Sequence, residues 1–431
     1  MEGTRPHVII IGGGFGGLAA ARRLSEAPVR VTLLDRQNYH LFQPLLYQVA
    51  TAALSPGDIA APIRWILRRQ QNLSVLLASV RAIDTATRAV QLADGSLSYD
   101  YLIVAAGATH AYFGHSNWEP LAPGLKTLED ALEIRRRVLL AYEAAERESD
   151  PAAQKRLLTF VIVGGGPTGV ELAGALGEIA RQTLSDDFRN IRPASARIIL
   201  LEGGPSILPT FPERLRRFAR AELKKRGVEV REHAVVTNVD PGRVWLGTEQ
   251  IEAATVLWAA GVAASPLGQT LEVPLDRAGR VIVQADLTIP GHPEVFVIGD
   301  LALLRDEKGT ALPGVAQVAM QQGAHAAKNI TRAIAGQPLV PFRYRDLGSM
   351  ATIGRNAAVA DFGWLRITGF PAWLVWLFIH IMQLVSFRSR LLVLLEGAWS
   401  YITFQRSVRL ITGRPDLGLP RSTTRSDQAP L

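Results

Sequence analysis

Two short runs in this chain carry the residue types and spacing that hold a dinucleotide. In the first, HVIII leads into GGGFGGLAAARRL and then RVTLLD, so Gly12, Gly14 and Gly17 occupy a GxGxxG loop between strand and helix. The first glycine permits a tight turn, the second lets backbone approach a pyrophosphate, and the third lets the helix pack on the strand. A diphosphate then lies on the unpaired N–H groups and positive dipole end of the helix. Asp35 closes the next strand, where a carboxylate accepts hydrogen bonds from ribose hydroxyls. The second run, LTFVIV, GGGPTGVELAGALGEIA and RIILLE, repeats the pattern at Gly164, Gly166 and Gly169. Its acid, Glu202, lies farther from the loop than the usual spacing of about 20 residues, which predicts an insertion at the polar stretch Thr183–Pro193. A carboxylate there accepts the 2′-hydroxyl of NAD and repels the 2′-phosphate of NADP, and Arg197 is too far back to reverse this. Two nucleotides are implied, one of them NADH.

The elements that must position these loops need a large chain, and 431 residues with 48% apolar and 20% charged content supply about three domains' worth of core. Cysteine is absent, which excludes a disulfide framework, thiolate-held metal and redox chemistry through a cysteine pair. His40, His110, His115 and His325 form no ligand-like cluster, and no catalytic metal is expected. The formal charge of +8 is uneven: from Arg343 onward there are 11 Arg and no Lys against 5 acids, a net +6, leaving +2 for residues 1–342. The same region holds Trp364, Trp373, Trp376 and Trp399 of the chain's 8 tryptophans. Basic, tryptophan-rich and apolar together indicate an anionic lipid surface rather than nucleic acid. Met1 to Val8 shows no charged region ahead of an apolar stretch and cleavage site, so no secretory signal is expected.

Three further segments, YDYLIVAAGATH at 99–110, TVLWAAGVAA at 255–264 and VFVIGD at 295–300, complete an ordered set that resembles the two-dinucleotide flavoprotein disulfide-reductase superfamily. The resemblance implies an α/β fold of two Rossmann-like domains plus a C-terminal amphipathic helical region that anchors to a membrane. The FAD domain is then discontinuous, 1–115 and 265–345, with an NADH domain at 116–264 inserted, a membrane-associated region at 346–413 and a disordered tail at 414–431. Implied FAD contacts are Gly12, Gly13, Gly14, Phe15, Gly16 and Gly17 in the loop, and Asp35 and Arg36 after it. They continue through Gln43, Pro44, Leu45 and Val80, Ala106 and Gly107 at the crossing, and Asp300, Ala316 and Gln317. For NADH they are Gly164, Gly165, Gly166, Pro167, Thr168, Gly169, Glu171, Glu202 and Gly261.

Without cysteine, a disulfide reductase or a sulfide:quinone oxidoreductase is excluded. NYHLFQPLLYQVATAALSPGDIAAPIR at 38–64 and LPGVAQVAMQQGAHAAKNI at 312–330 closely resemble type II NADH dehydrogenases, single-subunit NADH:quinone oxidoreductases of respiratory chains. FRSRLLVLLEGAWSYITFQRSVRLI is similar to that family's membrane-associated end. The resemblance implies hydride transfer from NADH to N5 of a tightly bound FAD, then two electrons to a membrane quinone. Gln317 and Gln321, the AQxxxQ glutamines, are spaced i, i+4 and share a helix face, where amides can donate to or accept from a quinone carbonyl. The alternative is that both simply face water. The helix start near Val315 and Ala316 would point at the flavin's pyrimidine edge. Glu171 is either a first-turn acid favoured by the helix dipole or, as the resemblance implies, a group near both flavin and nicotinamide that serves quinone reduction.

Between Arg366 and Arg388 lie 21 uncharged residues, long enough to test as a spanning helix. Pro371 at the helix start leaves about 16 helical residues, or ~24 Å, short of a ~30 Å hydrocarbon core. His380, Gln383 and Ser386 form one polar stripe, and Glu396, Ser400, Thr403 and Ser407 form another opposite Leu391, Leu394, Leu395, Ala398 and Ile402. Arg388, Arg390, Arg406, Arg409 and Arg414 bracket the second helix, so both are expected to lie in the interface across 366–413. A dimer interface, or a helical pair packed on the body, is the alternative, and a homodimer is compatible with either. The enzyme is then monotopic on the cytoplasmic face of the inner membrane and does not pump protons. Two other classes stay open: a flavin-bearing redox sensor resembling apoptosis-inducing factors, and an NADH-dependent reductase of a soluble carrier.

Overall fold

In a computed structural model of the chain, residues 5–384, 390–395, 397 and 408–412 are described. Strand His7–Ile11 is wholly buried and central in a six-stranded sheet, with Arg30–Asp35 and then Leu73–Leu77 on one side. Tyr101–Val104 and His292–Val297 follow on the other, with Thr288–Ile289 as an antiparallel edge. The second unit is a four-stranded parallel sheet in which Thr159–Val163 lies between Thr255–Trp258 and Arg197–Leu201, with Val228–Arg231 outermost. Parallel strands covered on both faces read as continuous apolar runs, as HVIII and TFVIV do. In each sheet the glycine loop leaves the central strand where the strand order reverses, the position at which open α/β sheets bind ligands. Antiparallel segments Ala108–His110 and Val262–Ala264 join the two units.

Close approaches fix how the helices sit. Helix Phe15–Arg23 crosses Ala316–Ile334 so tightly that a side chain on Gly323 would run into the Gly16 carbonyl. Helix Pro167–Glu178 likewise lies against strand Ser349–Gly354, where a side chain on Gly174 would collide with the Ile353 carbonyl. A short π-helix, Ile179–Thr183, extends it into the insertion, whose Arg189, Asn190 and Ile191 N–H groups donate to the Glu146 carboxylate at 2.9–3.1 Å.

The region from 346 onward opens with an element that the sequence reading did not anticipate. Ser349–Gly354, Ala357–Asp361 and Arg366–Gly369 form a three-stranded antiparallel sheet, turned at Arg355–Asn356 with Asn356 left-handed at φ 61°. None of its strands shows a clean two-residue alternation of buried and exposed residues, which hid them. Helix Phe370–Gln383 follows with Pro371 in its first turn. Its 14 residues span about 21 Å at 1.5 Å per residue, and among the described residues no helix is long and apolar enough to cross a membrane. Phe370, Leu374, Phe378 and Met382, four residues apart, are exposed on its outer side, while Ala372, Trp376 and Ile381 are buried.

The expected polar stripe needs correction. Gln383 is exposed, but His380 turns inward, stacked on Trp376 at 4.5 Å and edge-on to Phe42 at 6.2 Å. Ser386, the stripe Glu396, Ser400, Thr403 and Ser407 with its partners Ala398 and Ile402, Arg388, Arg406, Arg414, Trp399 and the tail 414–431 lie outside the described residues. Leu391, Leu394 and Leu395 are exposed. Arg409 does not face outward alone: it pairs with Asp187 and donates to the Thr183 carbonyl at 3.1 Å.

A methyl group at position 174 has no room against a backbone carbonyl. Gly174→Ala is expected to lower stability by about 1–3 kcal/mol, read from the denaturant midpoint. An unchanged midpoint would mean that this contact does not set the helix-to-sheet distance.

Candidate active site

Gly14 and Gly166 cap the two loop helices at their N-termini, and a side chain built at either meets nothing within 4 Å. Packing therefore does not require glycine at these two positions, whereas open backbone for a diphosphate does. Asp35 braces its own loop, accepting from the Gly13 N–H at 2.5 Å and the Gln37 N–H at 2.7 Å, and burial raises its pKa. Glu202 does the same in the second loop, from Gly165 and Gly204 N–H groups at 2.6 Å each. Arg197 is paired with Glu229 at 2.8 Å. Pro167 and Thr168 are exposed at the helix start, and Arg36 is exposed after its strand.

The remaining residues expected around FAD gather on the first unit. His40 is buried with Nδ1 2.9 Å from the Gly13 carbonyl, and Phe15 stands edge-on to it at 5.1 Å. Gln43, Pro44 and Leu45 form one short 3-10 turn, in which Leu45 is buried. Val80 and Ala106 are half-buried against the same core, and Gly107 is left-handed at φ 67° with its carbonyl accepting from Ser265 N–H at 3.1 Å. Asp300 lies 3.5 Å from the Lys126 ammonium, and Gln43 donates to the Lys126 carbonyl at 3.3 Å. Lys126 thus faces the cradle, and sequence reasoning missed it. The available signal was its place before the Thr127 capping box that starts helix Leu128–Arg147. The open Gly14 approach and the Asp300–Lys126 pair fit a flavin dinucleotide.

Gln317 and Gln321 share one face of helix Ala316–Ile334, as spacing required, but both amides are occupied. Gln317 donates to the Gly348 carbonyl at 2.9 Å and accepts from Leu347 N–H at 3.2 Å. Gln321 donates to the Arg345 carbonyl at 2.9 Å and accepts from Arg345 N–H at 3.0 Å. They clamp the segment leading into the C-terminal sheet. Binding a quinone directly would require one of these bonds to open.

Glu171 is the fifth residue of its helix, past the first turn, so the dipole-favoured reading does not apply. It faces a cavity of about 140 Å³ shared by five parts of the chain, the last of them Val393 and Gly397. Tyr47, Gln48 and Thr51 come from the segment after the first unit's second strand; Glu171, Ala175 and Glu178 come from one face of the loop helix. Thr352 comes from the C-terminal sheet, and Trp373, Trp376, Leu377 and His380 come from the surface helix. Burial pushes the Glu171 carboxyl up to about 8, offset only in part by a hydrogen bond with the Thr352 backbone. At the far end, Glu178 accepts from Arg355 N–H at 2.5 Å and pairs with Arg226 at 3.4 Å. His380 Nδ1 lies 2.7 Å from the Trp376 carbonyl, so it carries the proton, and burial lowers the ring's pKa. The neutral ring keeps a lone pair on Nε2.

A carboxyl raised in the folded state stays protonated while its unfolded counterpart ionises, so wild-type stability falls as pH rises from about 4.5 to about 8. Glu171→Gln is expected to match wild type near pH 4 and to be the more stable protein above pH 8. Parallel stability curves across that window would show that Glu171 is not a raised acid.

The chain matches the pyridine nucleotide-disulphide oxidoreductase family over residues 6–323 and the NDH2 C-terminal domain over residues 347–405. It is 47% identical over 430 residues to the type II NADH:quinone oxidoreductase NdhA of Mycobacterium tuberculosis, covering 96% of this chain and 90% of that protein. In fold it is similar to NDH2 of Plasmodium falciparum solved with NADH, with a TM-score of 0.85 at 21% identity, covering 95% of this chain and 100% of that one. The sulfide:quinone oxidoreductase of Aquifex aeolicus shares the fold at a TM-score of 0.72 and 19% identity, over 87% and 90% of the two chains. The chain belongs to the type II NADH:quinone oxidoreductase family, built on the pyridine nucleotide-disulphide oxidoreductase fold.

Proposed function

We propose that this protein oxidises NADH and reduces a membrane quinone by way of a bound FAD, without carrying protons across the membrane. The observation that carries this is Glu171: an acid whose desolvation in the fold raises its pKa, facing a cavity walled on one side by the helix of the NADH loop and on another by an outwardly apolar surface helix. The first glycine loop, with Asp35 at its strand end, would hold an FAD, which would supply hydride acceptance from NADH and electron transfer to the quinone.

The chain's own residues do the rest. N–H groups at the starts of the two loop helices hold the diphosphates, while Asp35 and Glu202 take the riboses. Protonated Glu171 donates a hydrogen bond to a quinone carbonyl and then its proton, and the Nε2 lone pair of His380 accepts from the hydroxyl formed. Gln317 and Gln321 position the C-terminal sheet, and through it Thr352, against Glu171. In the division into 1–115 with 265–345, 116–264 and 346–413, the first unit carries the FAD loop, the second the NADH loop and Glu171, and the third His380. Exposed Phe370, Leu374, Phe378 and Met382 rest the surface helix in the interface of the inner membrane, on the cytoplasmic face where NADH is available.

Purified, FAD-loaded protein is expected to oxidise NADH quickly only when a short-chain quinone is present; slow turnover with a stable charge-transfer complex would favour the redox sensor instead. Glu171→Gln is expected to lower the quinone-dependent rate by about 10- to 100-fold while leaving NADH-driven ferricyanide reduction intact. The wild-type quinone rate should fall as pH rises through about 8, where the acid form is lost, and the variant should lack that fall. A wild-type quinone rate in Glu171→Gln would contradict the assignment. Replacing Leu374 and Phe378 together by Glu is expected to abolish binding to anionic vesicles without changing ferricyanide reduction, and retained binding would place the membrane surface elsewhere.

A further inference from the structure

Phe113 is held in an unusual state. Its backbone is left-handed at φ 50°, a conformation bulky residues rarely adopt, and its ring is 69% exposed. The ring only leans on the core, tilted against Trp258 with ring centres 6.4 Å apart, while the chain just before it is fixed. Trp258 Nε1 donates to the Ala111 carbonyl at 2.8 Å, and Ala111 N–H donates to the Gly261 carbonyl at 3.2 Å. Tyr112 stacks on Trp258 with ring centres 5.3 Å apart and donates its hydroxyl to the Ala122 carbonyl at 2.8 Å.

The place where the ring is held matters. Its Cζ lies 3.3 Å from the position a Gly261 side chain would take, and the Gly164 turn packs on Ala259 and Ala260 immediately before it. Phe113 therefore stands at the carboxyl ends of Thr159–Val163 and Thr255–Trp258, where the strand order of the second sheet reverses. Glu202, the acid for the adenosine ribose, closes a strand on the opposite side of Thr159–Val163. A dinucleotide running from Glu202 across the glycine loop reaches Phe113 with its other end. We propose that Phe113 is a substrate-binding residue that packs against the nicotinamide half of NADH and fixes its position for hydride transfer. A flat, apolar ring suits the flat, uncharged dihydronicotinamide, and backbone strain at the position is consistent with a side chain retained for binding rather than for folding.

This inference rests on the NADH placement proposed above. In FAD-loaded protein, Phe113→Gly removes the ring and relieves the left-handed strain. It is expected to hold or raise the melting temperature, leave the quinone KM unchanged, and raise the NADH KM about 3- to 10-fold. The Kd for NAD⁺, titrated through tryptophan fluorescence, is expected to rise in parallel. Phe113→Tyr, which keeps the ring, should recover most of the lost affinity. Unchanged NADH KM and NAD⁺ Kd in Phe113→Gly, alongside a raised KM in Glu202→Ala, would overturn this assignment alone. If Glu202→Ala is also without effect, the NADH placement falls and this inference falls with it.

Discussion

A carboxyl group that packing desolvates is costly to ionise when no cation stands beside it, and among the described residues Glu171 is such a group. Its environment depends on one close approach, the backbone of strand Ser349–Gly354 lying where any side chain on Gly174 would collide. That contact brings Thr352 to the acid and closes the cavity from the C-terminal side. The clamps at Gln317 and Gln321, and the bridge from Glu178 to Arg355 and Arg226, hold the same sheet at its entry and at its turn. With the sheet displaced, Glu171 would meet water and become an ordinary carboxylate.

In the proposed reaction, helix Pro167–Glu178 is also where the two halves of the chemistry meet. Its N-terminal N–H groups face the dinucleotide loop, and its side carries Glu171 into the cavity one turn later. A water-soluble reductant and a lipid-soluble oxidant can therefore be served by opposite aspects of one rigid element. The surface helix fits this division, presenting Phe378 outward and Trp376 and His380 inward.

Much of this was legible in the sequence because it depends on local pattern. The two glycine loops, the strand-end acids Asp35 and Glu202, and Pro371 at the start of a short helix all follow from spacing and backbone constraint. What spacing cannot show is which neighbour a face meets. The glutamines share a face as read, but the backbone they grip lies 24 to 31 residues away. His380 looked like part of an outward stripe because helical period gives no direction; packing on the C-terminal sheet turned it inward. That sheet was itself obscured because its middle strand is buried along nearly its whole length and its neighbours show no two-residue alternation. Lys126 reaches Asp300 across 174 positions, a pairing that no local pattern encodes.

A carboxyl raised this far carries its proton at neutral pH. Infrared spectra of wild type and Glu171→Gln, compared as pH is raised, test it most directly. A protonated carboxyl band present at pH 7, missing in the variant and lost in wild type near pH 8 is the predicted result; a Glu171 carboxylate already ionised at pH 6 would contradict the account.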